Sequence, residues 1–218
     1  MSKFDEMITV VPRKTIFKDE AYQFDGFKSI QDEETKYIYE TINEYEVKRR
    51  GDMEEDPSYK QLISYCILEN ENDEILVYER LTGGGEGRLH GLSSIGVGGH
   101  MNDVPNATNV EEVIRDNAER ELEEEVGLDK ENVKNMELIG FINDDQNEVG
   151  KVHIGLVFKL KVNESSVEAK ETDTLKINWV KQSDLANNKN YETWSSLIID
   201  GLYRRGEWPC LILFHFLN

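Results

Sequence analysis

The sequence predicts an α/β sandwich built around a mixed sheet, on three observations. Strand-like apolar stretches and helix-like ones are interspersed from Ser58 onward, the pattern of a sheet covered by helices. In VHIGLVFKLKV (152–162), Val152, Ile154, Leu156, Phe158, Leu160 and Val162 occupy every second position, the period of a strand face. Between 110 and 126, Val110, Ile114, Ala118, Leu122 and Val126 lie four apart instead, the apolar stripe of a core-facing helix.

Taken in chain order, MITVVP (7–12) reads as a short strand. Residues 32–50 read as a charged helix with Ile38, Ile42 and Tyr45 at helical spacing. GDMEEDP then interrupts the pattern with Gly, Asp and Pro. QLISYCILE and EILVYERL are strand-like, and the polar turn NEND between them predicts a hairpin. Two glycine-rich stretches, TGGGEGRLHG (82–91) and SSIGVGGHMNDVPNATN, precede the helix of 110–126. MELIGFI (136–142) and LKINWV (175–180) predict further strands, and YETWSSLIIDGLYRR (191–205) a last helix. The expected organisation is an extension packed on the core (1–55), one domain (56–205) and an apolar tail (206–218). WPCLILFHFLN is too short to span a membrane. It is expected to pack into the core or against a second subunit, and a homodimer through the tail or the extension is one such arrangement.

A net charge of −19 opposes any electrostatic hold on nucleic-acid backbone or anionic membrane. An anionic substrate would need metal ions to bridge like charges. The two cysteines, Cys66 and Cys210, form no ligand pattern and no disulfide framework. The N-terminus has no apolar signal region and no apolar run reaches membrane-span length, so a cytoplasmic protein is expected.

RELEEEVGL (120–128) poses the chemical question. Its helix carries four glutamates into a C-terminal end that is itself partially negative, and neighbouring carboxylates repel by roughly 0.2–0.5 kcal/mol per pair. With Leu122 as zero, helical geometry puts Glu125 at about −60°, Glu121 at about −100° and Glu124 at about −160°. Three carboxylates therefore share an arc beside the buried stripe. A hard divalent cation with oxygen ligands, Mg²⁺ above all, would turn this repulsion into binding, and Arg120 stands where it can orient the carboxylates. On the helix alone, a solvated acidic face with a surface Arg–Glu pair remains the alternative.

Read with its flanks, the segment resembles the Nudix box. Arg120-Glu121-Leu122-Glu123-Glu124-Glu125-Val126-Gly127-Leu128 fits every fixed position of the second half of the box, and Glu112 stands seven residues before Arg120. Gly98-Gly99 resembles the opening glycine pair, and WVKQSDL (179–185) the strand-to-helix tail of the family. The spacing departs at one place: twelve residues (100–111) separate Gly99 from Glu112 where the family has five, so a loop with a seven-residue insertion is expected. Glu112, near +80° on the helix, reads as support for that loop before it reads as a ligand.

The resemblance implies a Nudix-type α/β/α sandwich and metal-dependent hydrolysis, with Mg²⁺ or Mn²⁺, of a nucleoside diphosphate linked to another moiety. It implies Glu121, Glu124 and Glu125 as metal-binding glutamates and the Gly98 carbonyl as a further ligand. A general base often lies outside the box; Glu171 is favoured, with Asp145, Glu148 and Glu164 as alternatives. Gly99, His100 and Arg88 are candidates for substrate contact. The glycine-rich loop lacks the Gly-Lys-Ser/Thr of a P-loop, and His90, His153 and His215 show no metal-ligand spacing with one another. Isopentenyl diphosphate isomerases share the fold but use a cysteine, and Cys66 sits inside an apolar strand. The competing reading is a non-catalytic module that binds a nucleotide; such modules typically lose box glutamates, and none is lost here.

Overall fold

The computed structural model describes residues 2–81, 91–133, 135–170, 175–188 and 190–203. Its centre is the long strand β4 (Tyr59–Glu69). Strands β1 (Met7–Pro12), β2 (Gly26–Ser29), β3 (Glu46–Arg49), β7 (Glu137–Asn143) and β8 (His153–Lys161) join it in the order β2-β7-β8-β4-β1-β3. The β4–β8 pair is parallel, from Gln61↔His153 to Glu69↔Lys161, and the others are antiparallel. The sheet is therefore mixed, as expected.

Both faces of β4 and β8 are buried. Leu62, Cys66 and Leu68 face one core with Ile154, Leu156, Phe158 and Leu160, under helix α4 (Val110–Val126). Tyr65, Ile67 and Val157 face the other, with Ile198 of α6 (Thr193–Ile198) and the continuing turn Ile199–Tyr203. A sheet covered on both faces by helices is the predicted α/β/α sandwich. The stripe Val110, Ile114, Ala118, Leu122 and Val126 is fully buried. Each large aliphatic there contributes about 1.5–3 kcal/mol relative to exposure, which outweighs like-charge repulsion on the far side of the helix.

Four shorter helices precede or interrupt the sheet: α1 (Arg13–Ile16), α2 (Glu33–Thr41), α3 (Arg50–Met53) and α5 (Glu148–Val152). The helix expected over 32–50 is thus only half helix. After a 3-10 turn at Ile42–Glu44 the chain extends into β3, where Val47 pairs with Thr9 of β1. An open sheet edge overrides the helical spacing of Ile38, Ile42 and Tyr45. The hairpin expected between β4 and β5 (Glu74–Arg80) forms, but it is short. One antiparallel pair, Glu69↔Ile75, is made before β5 diverges to pair with β9 (Leu175–Lys181) and β6 (Ser93–Ser94). Both edges of β4 are already taken, by β8 on one side and by β1 and residues 97–101 on the other.

The first residues of the expected insertion are built into the sheet rather than hung from it. Residues 97–103 run between β4 and β1: Val97 pairs with Cys66, His100 with Ile63 and Asn102 with Ile8. The Thr9 and Asp103 amides donate to the carbonyls of Met101 and Met7, at 2.8 and 2.9 Å. The N-terminal segment thereby forms a wall of the glycine loop. The tail from residue 204 onward lies outside the described residues, and no described helix is long and apolar enough to cross a membrane.

Candidate active site

Helix α4 begins and ends as its sequence dictates. Asn109 caps the N-terminus, its Oδ1 accepting from the Glu112 amide at 3.0 Å. The Glu112 carboxylate reaches back to the Thr108 amide at 2.7 Å, so the two ends satisfy one another as in a capping box. Glu112 accordingly supports the loop. At the other end Gly127 adopts φ +64, and the amides of Gly127 and Leu128 donate to the carbonyls of Glu123 and Leu122, an αL cap. The amides of Glu168 and Lys170 reach the last carbonyls, Val126 and Glu125, at 2.9 and 3.2 Å. The misplaced negative end is thus covered by backbone donors.

Between these caps Arg120 organises the acidic turn. Its Nη2 lies 2.9 Å from Glu121 Oε1 and its Nη1 lies 3.3 Å from Glu124 Oε2. The same guanidinium donates to the His100 carbonyl and to Asn117 Oδ1, both at 3.2 Å. Asn117, buried on α4, in turn exchanges two hydrogen bonds with the Asn102 backbone at 2.8 and 2.9 Å. Arg120 and Asn117 thereby staple the glycine loop to the helix. Asn117 was not singled out by the sequence; an asparagine on the buried side of a helix was the available signal.

The loop presses closely on its neighbours. A Cβ at Gly98 would lie 1.8 Å from the Ser64 carbonyl oxygen, and one at Gly99 would lie 2.4 Å from Glu121 Oε1. The Gly99 carbonyl is held by the Ser64 amide at 3.0 Å. Glu121 is nearly buried, its side chain 14 % exposed, whereas Glu124 is 62 % exposed. Glu125 is half-buried, with its Oε2 atom shielded from solvent. Burial pushes the Glu121 carboxyl upward; Arg120 pulls it back and Glu124 reinforces the rise. A negative group so disfavoured is one that a cation would stabilise. The three glutamates share one turn but their oxygens do not gather within 4.8 Å of one another. An all-oxygen donor set with one arm buried and one open fits a hard divalent ion such as Mg²⁺.

His100 follows the glycine pair and is half-buried. Its Nε2 lies 2.9 Å from Gln61 Oε1 and 3.0 Å from His153 Nε2. Burial, with His153 beside it, pushes His100 down to about 2, so it is neutral. The sequence separates His153 from His90 and His215 only; its neighbour in the fold is His100. Arg88 and Glu171 lie outside the described residues. Of the alternatives to Glu171, Asp145 is committed to Arg13 and Lys60 at 2.7 Å each. Glu148 faces solvent beside Lys151, and Glu164 lies in a 3-10 turn that borders β4. Cys66 is fully buried and its thiol is pushed up by burial and by Glu121, so it is no accessible nucleophile.

The two glycines predict different losses. Gly98→Ala meets a backbone carbonyl that cannot yield, and is expected to cost about 3 kcal/mol, read as a melting temperature lowered by roughly 6–12 °C. Gly99→Ala meets a carboxylate that can swing away. It is expected to leave stability nearly unchanged and lower turnover by at least about tenfold. Full turnover in Gly99→Ala would show that the seating of Glu121 on Gly99 is not needed.

The NUDIX domain family model matches residues 60–201. YmaB of Bacillus subtilis (strain 168) is 43 % identical over 204 residues, which cover 92 % of this chain and 98 % of that protein. The crystal structure of Tm1382, a candidate Nudix hydrolase, superposes with a TM-score of 0.73 at 28 % identity, covering 92 % of this chain and 100 % of that one. A mixed sheet between helices, a glycine pair seated on the acidic turn and a match across most of the chain agree. The chain belongs to the Nudix family, as a hydrolase acting on acid anhydrides in phosphorus-containing substrates.

Proposed function

We propose that the chain is a metal-dependent pyrophosphohydrolase that cleaves the diphosphate linkage of a nucleoside diphosphate derivative. The observation that carries this reading is the Glu121 carboxylate, nearly buried, gripped by Arg120 at 2.9 Å and seated where Gly99 has no side chain. Glu121, Glu124, Glu125 and the Gly98 carbonyl would hold Mg²⁺ or Mn²⁺. When bound, the ion supplies charge neutralisation of the diphosphate, polarisation of phosphoryl oxygens and a lowered pKa for attacking water.

The protein's own groups then position and exclude. Arg120 keeps Glu121 and Glu124 apart from each other and tied to the loop. Gly99 and His100 line the approach from the loop side, with Arg88 proposed as the cation that contacts substrate phosphate and Glu171 as the general base. Glu168 and Lys170, which precede Glu171 in the chain, dock on the end of α4 through their amides. A substrate of nucleotide type suits an acidic chain only through such an ion, because the net charge of −19 otherwise repels it.

A panel of ADP-ribose, dinucleoside polyphosphates, nucleotide sugars, coenzyme A and nucleoside triphosphates tests the reading. Turnover of one substrate class is expected with Mg²⁺ or Mn²⁺, abolished by EDTA and by Glu124→Gln. Tight binding of a panel member with no turnover under any metal would overturn it in favour of a nucleotide-binding module.

A further inference from the structure

Glu54, His100 and His153 come from three separate parts of the chain: the end of α3, the glycine loop and the start of β8. Their ligand atoms lie within 4.8 Å of one another, and among the described residues no other trio of His, Cys, Asp or Glu does so. From these we propose that the chain carries a second, nitrogen-rich metal site for a divalent first-row transition ion such as Zn²⁺, separate from the box glutamates.

The register of β4 builds it. Gln61 pairs with His153 on one edge and Ile63 with His100 on the other, which brings the two imidazole Nε2 atoms to 3.0 Å. Each ligand is braced by a second partner. His153 Nδ1 lies 2.6 Å from the Val149 carbonyl, which can only accept, so Nδ1 carries the proton and Nε2 presents a lone pair. Arg50 Nε holds Glu54 Oε1 at 2.9 Å, and Arg120 holds the His100 backbone at 3.2 Å. Support of this kind, fixing tautomer and orientation, is what ligating side chains require. Gln61 Oε1, 2.9 Å from His100 Nε2, adds a neutral oxygen to the same cluster. Its own amide nitrogen donates to the Met53 carbonyl at 3.1 Å, next to Glu54.

Without an ion, His100 Nε2–H is the donor shared between Gln61 Oε1 and His153 Nε2. An ion takes the place of that proton, which moves to His100 Nδ1, so both imidazoles stay neutral. Two imidazoles and one carboxylate select borderline ions such as Zn²⁺, Co²⁺ or Ni²⁺ over Mg²⁺, whereas the carboxylates of α4 select the reverse. The ion would join the N-terminal segment to the glycine loop and to β8, and so brace the turn on which Glu121 sits.

Equilibrium dialysis of the whole chain against Zn²⁺ and Co²⁺, in excess Mg²⁺, tests the site by binding alone. One Zn²⁺ per chain is expected to be retained, with the visible spectrum of nitrogen-ligated Co²⁺. Glu54→Gln is expected to weaken binding by at least about tenfold and His153→Asn to remove it, whereas Glu124→Gln leaves it unchanged. No retained ion in the wild type, or an ion lost in Glu124→Gln and kept in Glu54→Gln, overturns the proposal. Should His153→Asn fail to fold, Glu54→Gln at the half-exposed end of α3 decides. Hydrolase activity does not enter either outcome, so this site and the proposed reaction stand or fall separately.

Discussion

Glu121→Gln is expected to lower turnover by roughly 10³-fold while leaving the metal-free melting temperature unchanged or slightly raised. The two halves follow from one geometry. The side chain is 14 % exposed and its charge is disfavoured by burial, with Arg120 at 2.9 Å as partial compensation. Glutamine keeps an oxygen for Arg120 and relieves the buried charge, so folding loses little. An ion held by the acidic turn instead loses a full negative ligand. Metal-ion stabilisation of developing phosphoryl charge is worth several kcal/mol, and about 4 kcal/mol corresponds to roughly 10³-fold in rate. The thermal shift produced by saturating Mg²⁺, about 2.7 kcal/mol at one hundred times Kd, should shrink in parallel. Glu123→Gln is the control: it stands in the same turn, exposed, at a position outside the proposed ligand set. Turnover that falls equally in Glu123→Gln, or survives in Glu121→Gln, would remove Glu121 from the site.

How far the sequence could be read depends on how local each determinant is. Helix α4 was legible because its apolar stripe, Val110 to Val126, and the Gly127 that follows it lie within twenty residues of one another. The strands β4, β7, β8 and β9 were legible from their apolar runs. The helix expected over 32–50 stopped at Thr41 because the competing structure, pairing of β3 with β1, joins residues about forty positions apart. The insertion read as a loop for the same reason: its sheet partners, Ile8 and Ile63, lie far from it in sequence. The acidic turn and glycine pair form a local motif and were readable. The Glu54, His100 and His153 cluster was not, because it exists only where the two edges of β4 and the end of α3 meet.

Asp145→Ala is expected to be the most destabilising single substitution outside the apolar core, at about 3–5 kcal/mol. Lys60 on β4 is fully buried, and its ammonium donates to Asp145 Oδ1 at 2.7 Å and to the carbonyls of Gly150 and His153 at 2.8 and 3.2 Å. Asp145 Oδ2 also accepts from Arg13 at 2.7 Å and Gln23 at 3.1 Å. One carboxylate thus ties the N-terminal segment to β4 and to the turn after β7. Removing it strands a buried ammonium, whereas Lys60→Met with Asp145→Ala removes both charges. The double variant is therefore expected to be more stable than Asp145→Ala alone, and a simple sum of the single losses would refute the coupling. Acid titration gives an independent reading. Burial pushes the Asp145 carboxyl up, but hydrogen bonds from Arg13 and Lys60 outweigh it and hold the group below the usual 3.8. A carboxyl depressed on folding stabilises fully above its unfolded pKa and loses that contribution as pH falls through the folded value. Below about pH 4 the wild-type melting temperature should therefore fall more steeply than that of Asp145→Ala, and the two curves should converge toward strong acid.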